Sequence, residues 1–285
     1  MAMEVNAARE RRNIGVVWRY LKYKFKFTSE HPDYFDADGL LVFVGSQGTG
    51  KTLSAVNYVY KLMTMYPNCK LVTNLILQDY PIVTFKEFVQ DVDQKKFFEF
   101  IRDSGMTEQE IEKQLFDLYL QKNRVFPFEN NDDFSLYDNG EKGVIYLVDE
   151  IQLYMNSLES KNINIDVIAQ IAQQRKQRKH IVATSQVFGR LAKPLREQFS
   201  NVVVCRNILG FIQLNKLVDR DGLESDNSTD TNITGSVRKT FLWFHDPRFY
   251  GRYETYYVIK RDKFVSAEKR KGDIYDGNSQ FASDN

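Results

Sequence analysis

The chain has few cysteines and histidines and no long continuous apolar run. It contains two cysteines in 285 residues, Cys69 and Cys205, which are far apart and lack metal-ligand spacing. This count excludes a disulfide scaffold, and we expect both thiols to be reduced. No apolar run reaches the ~18 to 20 residues of a membrane-spanning helix, and residues 1–12 lack the apolar core of a signal peptide. We therefore expect no integral membrane segment and a cytoplasmic location.

An excess of charge of one sign is also missing. Lysine and arginine together number 39, aspartate and glutamate 38, and the formal net charge is +1. This balance excludes a uniformly basic protein, so any contact with nucleic acid must come from local patches. Hydrophobic residues make up 42% of the chain, which is enough for the core of one large domain.

Residues 45–52 contain the phosphate-binding motif G-x-x-x-x-G-K-[ST]. An apolar run at 40–44 precedes the motif, and residues 53–63 follow it with apolar side chains at helical spacing. In such a strand, loop and helix unit, backbone N–H groups hold phosphates, the lysine reaches the terminal phosphates, and the Ser/Thr hydroxyl binds Mg²⁺. The predicted nucleotide-binding residues are Gly45, Ser46, Gln47, Gly48, Thr49, Gly50, Lys51, Thr52 and Leu53. The motif predicts a nucleoside triphosphate and Mg²⁺ as cofactors.

A second apolar strand, predicted at 143–148, ends in Asp149 and Glu150. A continuous apolar run is typical of a strand buried on both faces of a parallel sheet. As a Walker B strand, it would bring Asp149 to the Mg²⁺ beside Thr52, and Glu150 to the attacking water. We therefore predict Thr52 and Asp149 as metal ligands and Lys51 and Glu150 as catalytic residues. The adjacent carboxylates favour hydrolysis over transfer of phosphate to a small molecule.

The next predicted strand, residues 180–186, ends in the polar residues Thr184, Ser185 and Gln186. An amide at this position can contact the terminal phosphate or the attacking water, so Gln186 is a candidate sensor, although a strand that merely ends in polar residues remains the alternative. Oligomeric ATPases often receive an arginine from the neighbouring subunit. The candidates are Arg175, Arg178 and Arg196, and a solvated basic face is the alternative for each.

These elements predict an α/β fold, a P-loop NTPase with a central, mainly parallel sheet flanked by helices and a small β-rich C-terminal extension. The expected divisions are a basic, aromatic N-terminal segment at 1–35, an ATPase core at 36–208 with a helical insertion at about 85–123, a β-rich extension at 209–271 and a disordered tail at 272–285. Further strands are predicted at 70–77, 202–206, 211–214, 239–244 and 253–260, and a helix at 165–177.

Four features of the chain together resemble the ATPase domain of the zonula occludens toxin type. They are the loop at 45–52, the strand ending in Val72, Thr73 and Asn74, the strand ending in Asp149 and Glu150, and Arg175 ahead of a strand ending in Gln186. This family includes filamentous-phage assembly ATPases and is similar to the wider FtsK/HerA class of DNA pumps. The resemblance covers residues 40–206. It implies ATP as the nucleotide, a homo-oligomeric ring such as a hexamer, and Arg175 as the residue that matches the family's arginine. Family members usually carry a membrane span after this domain, and this chain has none.

Four other segments have less specific patterns. Residues 16–27 interleave Lys and Arg with Trp, Tyr and Phe. We expect this segment to be an amphipathic element packed on its own domain, with base stacking, a membrane surface and a neighbouring subunit as alternatives. The acidic residues at 129–141 are interpreted as solvated surface, and the segment 219–235, rich in Asp, Asn, Ser and Thr, as a mobile loop or hairpin tip. Basic and aromatic residues at 248–271 suit contact with nucleic acid, with a solvated rim as the alternative.

The sequence therefore predicts an ATP-hydrolysing ring motor for phage-type DNA packaging, DNA translocation or virion assembly. DNA is the expected partner, and virion or membrane components are further candidate partners. The expected location is the host cytoplasm, or a peripheral position at a membrane or virion. A replication helicase or helicase loader with the same core is one alternative. The other is a nucleotide-gated assembly factor at the membrane or virion that hydrolyses slowly without translocation.

Overall fold

The computed structural model describes residues 2–36, 39–92, 106–158, 163, 165–199, 201–219, 223–224, 232–233 and 237–254. Several predicted features lie outside this set. They are the middle of the helical insertion, most of the loop at 219–235, the strand beyond residue 254, the basic residues at 260–271 and the tail at 272–285.

Twelve strands and eight α-helices are present in the described residues. The strands are β1 Leu40–Val44, β2 Lys70–Thr73, β3 Ile76–Leu77, β4 Val125–Pro127, β5 Val144–Val148, β6 Lys179–Ser185, β7 Asn201–Ile208, β8 Ile212–Asp219, β9 Leu223–Glu224, β10 Asn232–Ile233, β11 Val237–Phe244 and β12 Tyr253–Glu254. The helices are α1 Ala2–Glu30, α2 Lys51–Met65, α3 Phe85–Asp91, α4 Glu108–Lys122, α5 Asp133–Leu136, α6 Ile165–Gln173, α7 Lys193–Arg196 and α8 Pro247–Tyr250.

Eight of the strands form one sheet in the order β11-β8-β7-β1-β6-β5-β2-β4. The six strands from β7 to β4 run parallel, and β8 and β11 extend the sheet as an antiparallel hairpin pair. The P-loop strand β1 is therefore central, between β6 and β7, and Val44 at its end is paired with Ser185 and Val204. The predicted fold class, a P-loop NTPase fold with a mainly parallel sheet, is confirmed.

The central strands β1, β5 and β6 are buried on both faces of the sheet, which explains why β1 and β5 are continuous apolar runs. Alternate residues of β5 belong to two separate cores: Val144, Tyr146 and Val148 face one, and Ile145 and Leu147 face the other. The second core is covered by the apolar side of α2, and the first by residues of α6 and α7. The carboxyl ends of the parallel strands consequently meet at one edge, where the loops that follow β1, β5 and β6 are gathered.

Some predicted boundaries were wrong. The strand predicted at 70–77 is interrupted at Asn74 and Leu75, and the helix predicted at 165–177 ends at Gln173. The short strand β4 was not predicted. Helix α4 begins with a capping box, in which Thr107 Oγ1 accepts from Glu110 N and Glu110 Oε2 accepts from Thr107 N.

Two surface predictions also need correction. In the acidic loop, Asp133 is buried and its Oδ2 accepts from the backbone N–H groups of Glu129 and Asn130, so this carboxylate supports the loop instead of facing water. In α1, the side chains of Trp18 and Phe25 are 62% and 80% exposed. The prediction that this segment packs on its own domain was therefore wrong for that part of the helix.

Among the described residues, no helix is both long and apolar enough to cross a membrane. Cys69 and Cys205 are buried free thiols, as predicted.

Candidate nucleotide site

The P-loop backbone depends on glycine at two positions that side chains would obstruct. A Cβ atom on Gly45 would lie 2.6 Å from Thr49 Oγ1 and 2.9 Å from the Cys205 carbonyl oxygen. Gly50 has φ 80°, in the left-handed region, and directly precedes α2. Because no side chain caps the first turn of this 15-residue helix, its N–H groups and the positive end of its dipole remain available to an anion.

Two hydroxyl groups converge on the first carboxylate after β5. Asp149 Oδ1 accepts hydrogen bonds from Thr52 Oγ1 at 2.8 Å and from Thr184 Oγ1 at 2.7 Å. Burial raises the pKa of Asp149 above its usual value, and the hydrogen bonds from Thr184 and Thr52 act in the opposite direction. Thr52 and Asp149 thus bring together a hydroxyl and a carboxylate oxygen, the hard oxygen ligands that Mg²⁺ prefers.

The main chain at Asp149 is held by Asn74, which follows the neighbouring strand β2. Asn74 Nδ2 donates to the Asp149 carbonyl oxygen at 2.9 Å, and Asp149 N donates to Asn74 Oδ1 at 2.8 Å. This paired contact also explains why β2 stops at Thr73, since the Asn74 side chain points across the end of the sheet towards β5. The Thr73-Asn74 pair was noted in the sequence only as part of the family resemblance, and its structural role was missed.

The second carboxylate, Glu150, has a φ of 51°, which is unusual for a residue with a side chain. Its N–H donates to Thr184 Oγ1 at 2.9 Å. Its side chain accepts from Gln152 Nε2, and its Oε1 lies 3.5 Å from Gln186 Nε2 and 3.8 Å from Lys51 Nζ. The structure therefore brings the predicted residues Lys51, Glu150 and Gln186 together, and adds Gln152 and Thr184, which were not predicted as site residues.

Residues from the C-terminal part of the chain make hydrogen bonds to the P-loop backbone and to α2. Gln213 on β8 is fully buried, and its Nε2 donates to the Thr49 carbonyl oxygen at 2.9 Å and to Asn215 Oδ1 at 2.8 Å. Asn215 Nδ2 in turn donates to Ser54 Oγ of α2 at 3.0 Å. His245, which follows β11, lies 3.1 Å from Gln213 Oε1 through its Nε2. Sequence reasoning missed this network, because β8 has no motif.

The candidate arginines lie in two different places. Arg175 is exposed in the turn before β6, at the amino edge of the sheet and opposite the P-loop. Arg178 lies close by, with its guanidinium stacked 4.0 Å from the ring centroid of Tyr34. Arg196 is at the end of α7, which follows the carboxyl end of β6. Because β6 has seven residues, its ends are roughly 20 Å apart, and Arg175 does not reach the phosphate loop of its own chain.

Solved structures similar to this chain include ATPase domains. The N-terminal domain of zonular occludens toxin from Neisseria meningitidis aligns with a TM-score of 0.43 and 14% identity, covering 76% of this chain and 98% of that one. The genome packaging NTPase B204 from Sulfolobus turreted icosahedral virus 2, in complex with ATP-gammaS, aligns with a TM-score of 0.42 and 11% identity, covering 70% and 98%. A zonular occludens toxin domain is thus among the similar structures, as the sequence resemblance predicts.

A second structure of a packaging enzyme, the DNA-packaging ATPase B204 from Sulfolobus turreted icosahedral virus, aligns with a TM-score of 0.38 and 10% identity, covering 70% of this chain and 97% of that one. Comparison with protein-family models gives no match. Comparison with curated proteins gives no match either.

Proposed function

We propose that the chain hydrolyses ATP with Mg²⁺ at the edge formed by the P-loop, β5 and β6. One observation carries this proposal: Glu150, a carboxylate placed directly after the Asp149–Thr52 pair, faces Lys51 and Gln186. A site that only bound nucleotide would have no need for this second carboxylate. In a hydrolase it orients or deprotonates the attacking water.

Each residue then has a separate task in the proposed mechanism. The P-loop N–H groups and Lys51 bind the phosphates, while Thr52 and Asp149 hold the metal ion. The bound Mg²⁺ would neutralise charge on the phosphate oxygens. Glu150 accepts the proton of the water, and its position is set by hydrogen bonds from Gln152 and Gln186.

The test is a Glu150→Gln variant, with Glu112→Gln on α4 as a matched control outside the site. Glutamine keeps the shape of the side chain but cannot accept a proton, so we expect nucleotide binding within about threefold of the parent chain and turnover reduced by a factor on the order of 10² to 10⁴. ATP binding is measured by fluorescence titration and turnover by phosphate release. Unchanged turnover in Glu150→Gln would remove Glu150 from the mechanism.

We further propose that the active form is a ring in which Arg175 serves the nucleotide of the neighbouring subunit. The support is its location: Arg175 is exposed and lies at the sheet edge opposite its own P-loop, so any contact with nucleotide must be made with another subunit. Arg178, the alternative on the same turn, already stacks on Tyr34 of its own chain. An arginine provided in trans stabilises charge on the phosphates in the transition state.

Mixing two inactive variants tests this arrangement. Arg175→Ala and Glu150→Gln should each lose turnover, but an equal mixture forms some interfaces with an intact Glu150 on one side and an intact Arg175 on the other. With random assembly about a quarter of the sites regain activity. Arg178→Ala is the matched control and should remain active alone. No recovery in a mixture shown by native mass measurement to form mixed rings would contradict a trans role of Arg175.

For the substrate of the motor we propose DNA, with packaging, translocation or virion assembly as the task. The proposal rests on the sequence resemblance to the zonula occludens toxin type and on the trans site described above. ATPase activity should rise on addition of single- or double-stranded DNA, and the two forms are compared directly. Strand displacement on a forked substrate would favour the helicase alternative. An ATPase rate that does not change on addition of DNA would favour the assembly-factor alternative.

A further inference from the structure

The N-terminal helix α1 exposes an unusual amount of apolar surface. Between residues 16 and 25 its apolar side chains are half or more exposed: Val16 55%, Val17 54%, Trp18 62%, Tyr20 60%, Leu21 50%, Tyr23 64% and Phe25 80%. A helix that served only as part of the domain would turn such residues towards the core. Contiguous exposed apolar surface of this kind marks an interaction site.

Among the residues of α1 whose side chains the structure describes, the contacts with the rest of the domain lie beyond these apolar residues. The ring of Phe27 packs against His31 at 4.6 Å and Tyr34 at 4.8 Å between ring centroids, and Tyr34 carries the guanidinium of Arg178. The exposed part of α1 therefore projects from an anchored base, and its apolar side chains are free to contact another surface.

Basic residues occupy a separate stripe of the same helix. With about 100° of rotation per residue, Arg19, Lys22 and Lys26 fall within an arc about 60° wide. The apolar residues from 16 to 25 occupy the remaining arc, into which only one cation, Lys24, falls. There is no acidic residue from 15 to 29. The arrangement is that of an amphipathic helix with a cationic side and an aromatic and aliphatic side.

We propose that α1 binds the surface of an anionic lipid bilayer and lies in the plane of the interface. The charge is complementary to acidic headgroups, and Lys and Arg side chains can reach the headgroups while their stems cover apolar surface. Trp18, Tyr20 and Tyr23 are the residue types that concentrate at bilayer interfaces. Val16, Val17 and Leu21 favour lipid over nucleic acid, because aliphatic side chains neither stack on bases nor contact phosphate.

The experiment uses the full chain and two kinds of vesicle, phosphatidylcholine alone and phosphatidylcholine mixed with phosphatidylglycerol. We expect co-sedimentation with the mixed vesicles, weakening as salt is raised, and little with phosphatidylcholine. Each cation near an acidic surface contributes about 1 kcal/mol, so Lys22→Gln/Lys26→Gln should weaken binding about 30-fold. Trp18→Ser/Phe25→Ser should weaken it about tenfold or more.

Matched controls separate this effect from a general loss of charge or apolar surface. Lys113→Gln/Lys122→Gln removes two exposed cations from α4, and Met65→Ser removes an apolar side chain that is 66% exposed at the end of α2. Both should bind vesicles as the parent chain does. ATP binding and turnover should be unchanged in all four variants, so failure of the lipid proposal is distinguishable from failure of the proposed ATPase.

Several results would overturn the proposal. These are no sedimentation with acidic vesicles, equal binding to both kinds of vesicle, or equal losses in the α1 and control variants. Loss of DNA binding in Lys22→Gln/Lys26→Gln without vesicle binding by the parent chain would assign α1 to nucleic acid instead. A change in native mass for Trp18→Ser/Phe25→Ser, again without vesicle binding, would assign it to contact between subunits.

Discussion

The contact between Gly50 and Gln213 allows a quantitative test of how the C-terminal hairpin supports the P-loop. A Cβ atom on Gly50 would lie 2.9 Å from Gln213 Cδ and closer still to Oε1. Gln213 is fully buried and hydrogen-bonded to Thr49 and Asn215, so it cannot move aside without breaking those bonds. The perturbation is Gly50→Ala, alone and combined with Gln213→Ala.

The expected loss of unfolding free energy has a different physical origin for each substitution. Alanine in a left-handed conformation costs roughly 1 to 2 kcal/mol, and the overlap with Gln213 adds about 1 to 3 kcal/mol for a crowded interior. Gln213→Ala alone loses the hydrogen bonds to Thr49, Asn215 and His245, of about 1 kcal/mol each. In the double variant the backbone strain remains but the overlap is gone. The loss of unfolding free energy should therefore be smaller than the sum of the single losses by about 1 to 3 kcal/mol.

The unfolding free energy of each variant is measured by urea denaturation without nucleotide, and Gly48→Ala is the matched control. Gly48 also has φ 80°, yet a Cβ atom at this position would meet no other atom within 4 Å, so alanine there should cost only the backbone strain of roughly 1 to 2 kcal/mol. Additive losses for Gly50→Ala and Gln213→Ala, within about 0.5 kcal/mol, would refute the steric coupling. Equal costs at Gly48 and Gly50 would refute it as well.

Three further predictions concern residues around the same edge. Asn74→Ala should lower the unfolding free energy by about 2 kcal/mol in urea, because two hydrogen bonds to Asp149 are lost; a change below about 0.5 kcal/mol would contradict this. Thr184→Val removes a hydrogen bond that lowers the pKa of Asp149, so the acid limb of the pH–rate profile should move to higher pH, and an unmoved limb would count against the contact. Burial lowers the pKa of His245 below 6.5. At a pH near or below 6.5 the unfolded chain then binds more protons than the folded chain, so the unfolding free energy should fall as the pH drops below about 6.5. This fall should be less steep in His245→Gln. Identical pH dependence in the parent chain and the variant would exclude His245 as its cause.

The parts of the site that the sequence predicted are those with local signals. The P-loop has a fixed spacing, and the strand ending in Asp149 and Glu150 is an unbroken apolar run. Because parallel strands have their carboxyl ends at the same edge of the sheet, the two motifs could be predicted to lie close to each other. Gln186 could be placed by the same reasoning, and it lies next to Glu150.

The parts that were missed depend on contacts across the chain. Asn74 contacts Asp149 from 75 positions away, and Thr184 contacts it from 35 positions away. Neither residue differs by type or spacing from an ordinary polar residue at a strand end. In α1 the error had another cause. Amphipathic periodicity reports that a helix has an apolar side, and it cannot report whether the surface opposite that side belongs to the same molecule.

The most consequential miss, Gln213, follows from where β7 ends. An apolar run predicted that this strand stops at residue 206, but β7 continues to Ile208, four positions beyond Val204, which pairs with the last residue of β1. The hairpin of β7 and β8 thus extends about 13 Å past the end of β1. Gln213 pairs with Asn207 in this extension, alongside the phosphate loop. Strand length, not a motif, therefore brings the C-terminal hairpin into the nucleotide site, where Gln213 of the overhang is buried against the P-loop.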